Sequence, residues 1–131
     1  MLGVDTNVLV RLFAGDDQKQ AEIACSTLSN LSQKFVIHPV VICELVWVLS
    51  AAYEYKKSDI IKVISNLVRV ENFIILDKET VQAAIELYSS TNMDFADAYI
   101  GHANKNAGCT SSITFDKKAA QSSLYEVILE K

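Results

Sequence analysis

The stretch that decides the fold lies near the start of the chain, where residues 2–13 are LGVDTNVLVRLF. The apolar run Leu2–Val4 predicts a short strand. Asp5–Asn7 then ends the strand and caps a helix that runs through Phe13. A strand that leads directly into helices is the repeating step of α/β folds. The opening residues therefore predict an α/β protein.

The same step recurs along the rest of the chain, where short apolar runs alternate with longer helical patterns. Further strands are predicted at Phe35–Ile37, Phe73–Leu76, Ser111–Phe115 and Tyr125–Leu129. The starts and ends of further helices are predicted as follows: Asp17 to Ser29, a long helix opened by His38 and Pro39, Ser58 to Arg69, Asp77 to Ser89, Asp94 to Asn106 with Gly108 beyond, and a short helix from Asp116. The order βααβααβααβαβ, with apolar strands, indicates a parallel sheet covered by helices.

Composition fits one compact domain over residues 1–131. The chain has 131 residues, of which 50% are hydrophobic and 21% charged, without a repeat or a Gly/Ser/Pro linker. Its net charge of −4 argues against a wide basic surface for duplex DNA, whose binding needs many phosphate contacts. A nucleic acid substrate stays open, because a metal ion can supply positive charge locally.

The cysteines and the hydropathy of the chain indicate the cellular compartment of the protein. Cys25, Cys43 and Cys109 are odd in number and form no CxxC spacing, which favours reduced, packed thiols in a cytosolic protein. The first residues lack the pattern of a signal peptide. The longest apolar segment, Val40–Tyr53, is interrupted by Glu44 and is too short to span a bilayer. We therefore expect a cytoplasmic protein.

Two acids come directly after predicted strands. Asp5 follows Leu2–Val4, and Asp116 follows Ser111–Phe115. Open parallel sheets bind their ligands outside the carboxyl ends of the strands, so both acids are candidate site residues. Each can also be explained as a helix cap.

Two further acids stand in apolar helical surroundings. Glu44 lies in PVVICELVWVL (39–49), where a buried carboxylate is costly without a cation or a set of donors. A salt bridge or a raised pKa would explain it without a functional role. Asp97 lies in MDFADAYIGHAN (93–104), where Asp94 suits the N-cap position. Asp97 then falls in the first turn, where the helix dipole favours an acid.

The predicted fold brings Asp5, Glu44, Asp97 and Asp116 to one rim of the sheet. Two like charges 4 Å apart repel by about 4 kcal/mol at an effective dielectric of 20. Divalent cations turn that repulsion into binding, and oxygen-only ligands favour Mg²⁺ or Mn²⁺ over zinc. The chemistry that such a centre suits is attack of water on a phosphodiester, with two ions about 3.5–4 Å apart.

Four segments in this order closely resemble the PIN domain. They are VDTNVLVRLF (4–13), VVICELVWVL (40–49), MDFADAYIGHAN (93–104) and SITFDKK (112–118). The resemblance covers nearly the whole chain, and short proteins of this kind are most similar to the toxin ribonucleases of bacterial and archaeal toxin–antitoxin pairs (VapC-like). It implies a three-layer α/β/α sandwich with a five-stranded parallel sheet, and RNA cleavage dependent on Mg²⁺ or Mn²⁺.

The resemblance also assigns roles to residues. The acid quartet falls on the four carboxylates above, and Asn7 and Thr114 would orient them. Homodimers are implied, together with an antitoxin that wraps the dimer and obstructs the pocket. Many relatives carry another acid where this chain has Lys118. Lys117 and Lys118 would touch the RNA backbone or form a solvated basic turn.

Two other functions compete with this hypothesis. VDTNVL resembles the Asp-x-Asp signature of phosphatases with an aspartyl nucleophile, but Asn7 cannot act as the general acid. A non-catalytic module could use the same acids to hold a metal or a partner's arginine. Arg11 and the Tyr53–Lys57 segment stay open between RNA contact and a structural role.

Overall fold

The chain is divided into two compact units in the computed structural model, which describes residues 1–128. The first unit spans Met1–Lys78 and the second unit spans Glu79–Lys131. The single domain over residues 1–131 stays a prediction.

The first unit alternates strands and helices in the order βααβααβ. Its elements are β1 (Leu2–Gly3), α1 (Thr6–Ala14), α2 (Gln18–Leu28), β2 (Phe35–Ile37), α3 (Pro39–Ala51), α4 (Lys57–Leu67) and β3 (Phe73–Ile75). Gly15 ends α1 in the left-handed region (φ 64°), which glycine adopts without strain. The chain can therefore reverse between α1 and α2.

The three strands of the first unit form a parallel sheet in the order β1-β2-β3. Phe35 of β2 pairs with Leu2 on one side and with Phe73 on the other. The backbone N–H of Val4 donates to the Val36 oxygen at 3.0 Å, so the ladder continues past β1. Since the strands are parallel, their carboxyl ends share one edge, and α1 and α3 begin there.

Helix α3 is the central helix of the first unit. It contacts both α1 and α4, and its fully buried residues include Ile42, Leu45 and Leu49. Burying a leucine or isoleucine side chain contributes about 1.5–3 kcal/mol, so this face fixes the rotation of α3 about its own axis. The residues on its opposite face are thereby held at the surface.

The second unit joins two helices to two strands. Its elements within the described residues are α5 (Lys78–Ser90), α6 (Phe95–Asn106), β4 (Ser112–Thr114), a 3₁₀ turn (Ala119–Gln121) and β5 (Tyr125–Val127). The strands β4 and β5 are parallel, with Ser112 paired to Tyr125 and Thr114 to Val127.

A close approach at Gly101 packs α6 against the segment that leads into β5. A Cβ at Gly101 would lie 2.8 Å from Tyr125 Cε2 and 3.2 Å from Leu124 Cβ. The Tyr125 hydroxyl also donates a hydrogen bond to the backbone oxygen of Asp97. Glycine is therefore required here by space, and the contact holds the start of α6 in place.

The α/β class, the order of the elements and the parallel pairing of the strands are confirmed. Hydrogen bonds join three strands in the first unit and two in the second, so the single five-stranded sheet stays a prediction. Strand β2 has the predicted bounds, whereas β5 ends at Val127, and Leu129 lies outside the described residues.

One predicted helix start is wrong. Helix α4 begins at Lys57, ahead of the predicted cap at Ser58. Tyr55 fixes the preceding loop, because its N–H donates to the Leu49 oxygen and its hydroxyl to the Phe13 oxygen. Such tertiary contacts leave no trace in local capping patterns.

Asp77 lies directly before α5, as predicted, and its φ of 52° places it in the left-handed region. Aspartate tolerates this region better than most residues, so it suits the turn between β3 and α5. The helix itself begins at Lys78.

The expectation of packed thiols is wrong for two of the cysteines. Cys25 and Cys109 are exposed, and only Cys43 is partly buried, which raises the pKa of its thiol to about 11. Cys25 lies on α2, whose apolar residues are too few to predict its buried face. Within residues 1–128, no helix is long and apolar enough to cross a membrane.

Candidate functional site

Asp5 stands at the carboxyl end of β1 and is the N-cap of α1. Its backbone is extended (φ −85°, ψ 157°), and its Oδ1 accepts a hydrogen bond from the Thr6 N–H at 2.7 Å. The interpretation of Asp5 as a cap is therefore confirmed. The side chain is exposed, so the cap leaves the carboxylate accessible to a ligand.

Glu44 lies on the surface of α3 and not in a buried apolar stripe, so the premise of its prediction is wrong. Its helical neighbours Val40 and Trp47 are themselves 66% and 69% exposed. Helix α3 is apolar on nearly every side, so the sequence could not show which face is buried. Because Glu44 is exposed to water, its carboxylate needs no salt bridge, and it forms none with residues 1–128. The unusual feature is that its apolar neighbours Val40 and Trp47 are exposed too.

One cavity of about 400 Å³ in the first unit brings predicted site residues together. Asp5 and Glu44 line it along with Asn7, which was predicted to orient the acids. The other lining residues are Thr6, Val10, Arg11, Val48, Ala52 and Tyr53. Two carboxylates and an amide from α1 and α3 thus share one concave surface.

Thr6 lines this cavity and carries a buried hydroxyl that has no hydrogen-bond partner within residues 1–128. The residue is 7% exposed, and its Oγ1 is the one buried side-chain polar atom of residues 1–128 without a hydrogen-bond partner. Leaving a buried hydroxyl unpaired costs about 1–3 kcal/mol. The unpaired hydroxyl belongs to the residue next to Asp5, at the start of α1.

The second unit holds the other two predicted carboxylates. Asp97 lies in the first turn of α6, behind the N-cap Asp94, as predicted. Partial burial is the main cause that raises the pKa of Asp97, followed by the negative charges of Asp94 and Asp116, while the Lys118 ammonium lowers it. Asp97 and Asp116 are therefore close enough to interact.

Asp116 is held in a turn after β4. Its Oδ1 accepts from the Lys118 N–H at 2.8 Å, and its own N–H donates to Thr114 Oγ1 at 3.0 Å. Thr114 thus contacts the residue that it was predicted to orient, through the backbone. Lys117 and Lys118 are exposed beside this carboxylate.

The donor chemistry of both units fits a hard divalent cation. Each unit supplies two of the four candidate carboxylates. No thiol or imidazole lines the cavity of the first unit. Within either unit, the described residues contain no group of three Asp, Glu, His or Cys side chains placed to hold a metal ion. An ion at one pair would therefore complete its shell with other oxygens, such as those of water or a phosphate.

Arg11 and Tyr53 are lining residues whose roles the sequence left open. Arg11 follows Asn7 by one helical turn, and this spacing could have placed both on one face of α1. Tyr53 lies in the loop after α3, where no periodicity applies. Its place beside Arg11 follows from a side-chain contact and not from a pattern.

Comparison with known proteins agrees with these features. The chain is 28% identical over 117 residues to a protein named VapC ribonuclease from Aquifex aeolicus (strain VF5), an overlap of 88% of this chain and 87% of that protein. The PIN domain family matches residues 3–123, a span that contains all four candidate carboxylates. The chain belongs to the PIN domain family.

Proposed function

We propose that this protein is a metal-dependent endoribonuclease that hydrolyses RNA phosphodiester bonds. The observation that carries the proposal is the cavity of the first unit, which is lined by both Asp5, at the end of β1, and Glu44, on α3. The likeness to a protein named VapC ribonuclease supports RNA as the substrate. The reaction class follows from oxygen ligands that suit a divalent ion, because such an ion activates water for attack on a phosphodiester.

The proposed metal ligands are Asp5, Glu44, Asp97 and Asp116, and the ion is Mg²⁺ or Mn²⁺. Oxygen donors favour these ions over zinc. When bound, such an ion lowers the pKa of water and offsets the charge that develops on the phosphate. Without it, the crowded carboxylates would repel the phosphate of the substrate.

The surrounding residues of the chain position these carboxylates. The Thr6 N–H fixes one oxygen of Asp5, and Thr114 and the Lys118 N–H fix the turn of Asp116. Asn7 offers an amide to the same cavity as Asp5. In the proposal, Lys117 and Lys118 are exposed cations that contact the RNA backbone.

The proposal includes one five-stranded parallel sheet within a three-layer α/β/α sandwich over residues 1–131. Strands in both units are parallel, and an acid follows both β1 and β4. In such a sheet the four acids would share one edge. A crystal structure soaked with Mn²⁺ tests this directly, because the anomalous signal identifies the carboxylates that coordinate.

The proposal also places the protein as the toxin of a toxin–antitoxin pair in the cytoplasm. The name of the relative supports this role. The test begins with the search for a small neighbouring gene that encodes a DNA-binding protein. The purified product should bind this chain and suppress its cleavage of RNA. Tight binding without suppression would contradict the role.

A homodimer completes the proposal. Val40 and Trp47 lie two turns apart on the exposed face of α3, and large aromatic side chains are enriched in protein interfaces. Light scattering should give twice the mass of the chain, and Trp47→Ala should lower it. A wild-type monomer at micromolar concentration would exclude a stable dimer.

Activity measurements test the chemistry. Asp5→Asn and Asp97→Asn should abolish cleavage of single-stranded RNA and leave the far-UV circular dichroism spectrum unchanged. Excess EDTA should abolish the wild-type activity, and Mg²⁺ or Mn²⁺ should restore it. Undiminished cleavage by either variant, or in EDTA, would overturn the mechanism. Release of phosphate from a small phosphomonoester, with RNA left intact, would indicate a phosphatase.

A further inference from the structure

The cavity that holds Asp5 and Glu44 extends along the two helices that carry them. From Asn7 to Arg11 the α1 wall advances one turn, about 6 Å, and from Glu44 to Ala52 the α3 wall advances about 12 Å. Tyr53 lines the cavity beyond Ala52, at the end away from Asp5. The cavity is therefore acidic at one end, and at the other end it presents a guanidinium and a phenol.

Side chains around the far end hold Arg11 in place. Its Nε donates to Gln20 Oε1 at 2.7 Å, and its Nη1 donates to Asp16 Oδ1 at 2.6 Å and to the Tyr53 hydroxyl at 3.3 Å. The Tyr53 hydroxyl in turn donates to Asp16 Oδ2 at 2.8 Å. Residues of α2 and of two loops thus orient one guanidinium.

These bonds leave part of the guanidinium available. Nε and Nη1 are used, whereas Nη2 donates no hydrogen bond to residues 1–128 in the structure. The Arg11 side chain is 33% exposed, so it is both restrained and accessible. A planar guanidinium with free N–H groups is the side chain best suited to a phosphate.

Charge also distinguishes Arg11. Of the described residues that line the cavity, it is the only base, in a chain of net charge −4. The acidic end repels a phosphate unless a cation is bound, whereas Arg11, although paired with Asp16, still offers free guanidinium N–H groups to one. An RNA strand in this cavity would therefore have one phosphate bound through a metal ion and another bound by Arg11.

We propose that Arg11 binds the phosphate of a nucleotide next to the one that is cleaved, and that Asp16, Gln20 and Tyr53 position its guanidinium. The inference rests on the proposed function, since it assigns RNA to this cavity. It adds a metal-independent subsite to the candidate site. It also gives the RNA a direction of approach, along the groove between α1 and α3.

A purely structural role is the competing explanation. The same hydrogen bonds connect the end of α1 with the start of α2 and the loop after α3, so loss of Arg11 could act through folding alone. Asp16→Asn and Tyr53→Phe separate the two explanations. Both weaken the connection and retain the guanidinium.

The experiment measures binding of a fluorescein-labelled oligouridylate of about twelve nucleotides, at several salt concentrations and with Ca²⁺ as the divalent ion. Each phosphate contact to a single strand contributes about 0.7 to the slope of log Kd against log salt. Arg11→Gln should weaken binding about tenfold at low salt and reduce that slope by about 0.7. Arg11→Lys should keep most of the slope, because it keeps the charge.

The matched control Arg69→Gln, at an exposed base of the same unit that does not line the cavity, should keep the wild-type affinity and slope. Tyr53→Phe keeps Arg11 and its charge, so it should weaken binding by less than Arg11→Gln at an unchanged slope. Asp16→Asn removes the anion beside Arg11, so it should not reduce the slope. Equal losses of affinity in Arg11→Gln, Asp16→Asn and Tyr53→Phe at an unchanged slope would overturn the subsite. So would unchanged binding by Arg11→Gln, or a wild type that does not bind the oligonucleotide.

Failure of the subsite and failure of the proposed function are distinguishable. A wild type that cleaves RNA in Mg²⁺ or Mn²⁺, but whose binding slope does not depend on Arg11, loses only the subsite. A wild type that binds the oligonucleotide with the Arg11-dependent slope but never cleaves RNA loses the nuclease function and keeps a phosphate-binding groove.

Discussion

The two pairs of carboxylates differ in how the chain accommodates their charge. In the first unit, Asp5 caps a helix through one oxygen, and Glu44 is exposed on α3. In the second unit, Asp97 is partly buried beside the charges of Asp94 and Asp116. Asp97 therefore holds unfavourable electrostatic energy that a nearby cation would relieve. The carboxylates of the first pair are exposed to water instead.

The largest expected effect tests whether both pairs serve one reaction. Glu44→Gln and Asp116→Asn should each lower kcat for RNA cleavage by more than the about 10–100-fold that follows loss of an outer partner at a metal site. Steady-state kinetics at saturating Mn²⁺ provides the measurement, and Glu71→Gln, at an exposed acid of the first unit, is the control. Full activity of Asp116→Asn would restrict the reaction to the first pair.

A smaller effect is expected from the residues that orient each pair. Asn7→Ala and Thr114→Val should lower kcat by about 10–100-fold, because Asn7 lines the cavity of Asp5 and Glu44 and Thr114 accepts a hydrogen bond from the Asp116 N–H. The measurement is kcat as a function of Mn²⁺ concentration. The Mn²⁺ concentration that gives half-maximal kcat should rise in both variants. A shift in only one of them would show that the two pairs do not hold a shared ion in the same way.

The packing of α6 provides a prediction on stability. Gly101→Ala places a methyl group 2.8 Å from the Tyr125 ring, so we expect a loss of about 1–3 kcal/mol in the free energy of unfolding. Urea denaturation measures it. Gly3→Ala is the control, since nothing lies within 4 Å of its Cβ position. Equal stability of both variants would mean that the contact yields without cost.

The smallest effect concerns the strain at Asp97. Its pKa is raised in the folded protein, so the stability it contributes is fully present below the unfolded value of about 3.9 and is lost as the pH rises through the folded value. Asp97→Asn should therefore raise Tm by about 1–3 °C at pH 7 and leave it unchanged near pH 3.5.

A control at another first-turn acid should show the opposite sign. Asp59 lies in the first turn of α4 and is exposed, so Asp59→Asn loses a favourable helix-dipole interaction. Its Tm should fall slightly at pH 7. A fall of the same size for Asp97→Asn would show that the second pair is no more strained than an ordinary surface acid.

The element order and the parallel pairing were predictable because they depend on local signals. Apolar runs such as Phe35–Ile37 mark strands, and Asp5, Asp17 and Asp94 mark helix starts, which the structure confirms as N-caps. Chemistry that depends on a strand end, as at Asp5, is predictable for the same reason. The resemblance to the PIN domain also indicated Asn7, which lines the cavity with Asp5 and Glu44.

Features that depend on which faces meet were not predictable. Helix α3 is too uniformly apolar to show that Glu44, Val40 and Trp47 lie outward. The contacts of Arg11 with Asp16 and Tyr53 join segments distant in sequence through side chains, so no spacing indicates them. The grouping of the strands likewise depends on tertiary pairing rather than on the strands themselves.

In the proposed function, Asp5 both caps α1 and binds the metal ion, which limits the evolutionary routes by which this chain can change. Asparagine caps a helix about as well as aspartate, whereas alanine costs about 0.5–2 kcal/mol at such a position. A lineage that no longer needs the negative charge can therefore discard it through asparagine while the helix survives. Inactive descendants with an intact scaffold are one substitution away, and those with alanine must first tolerate a weaker fold.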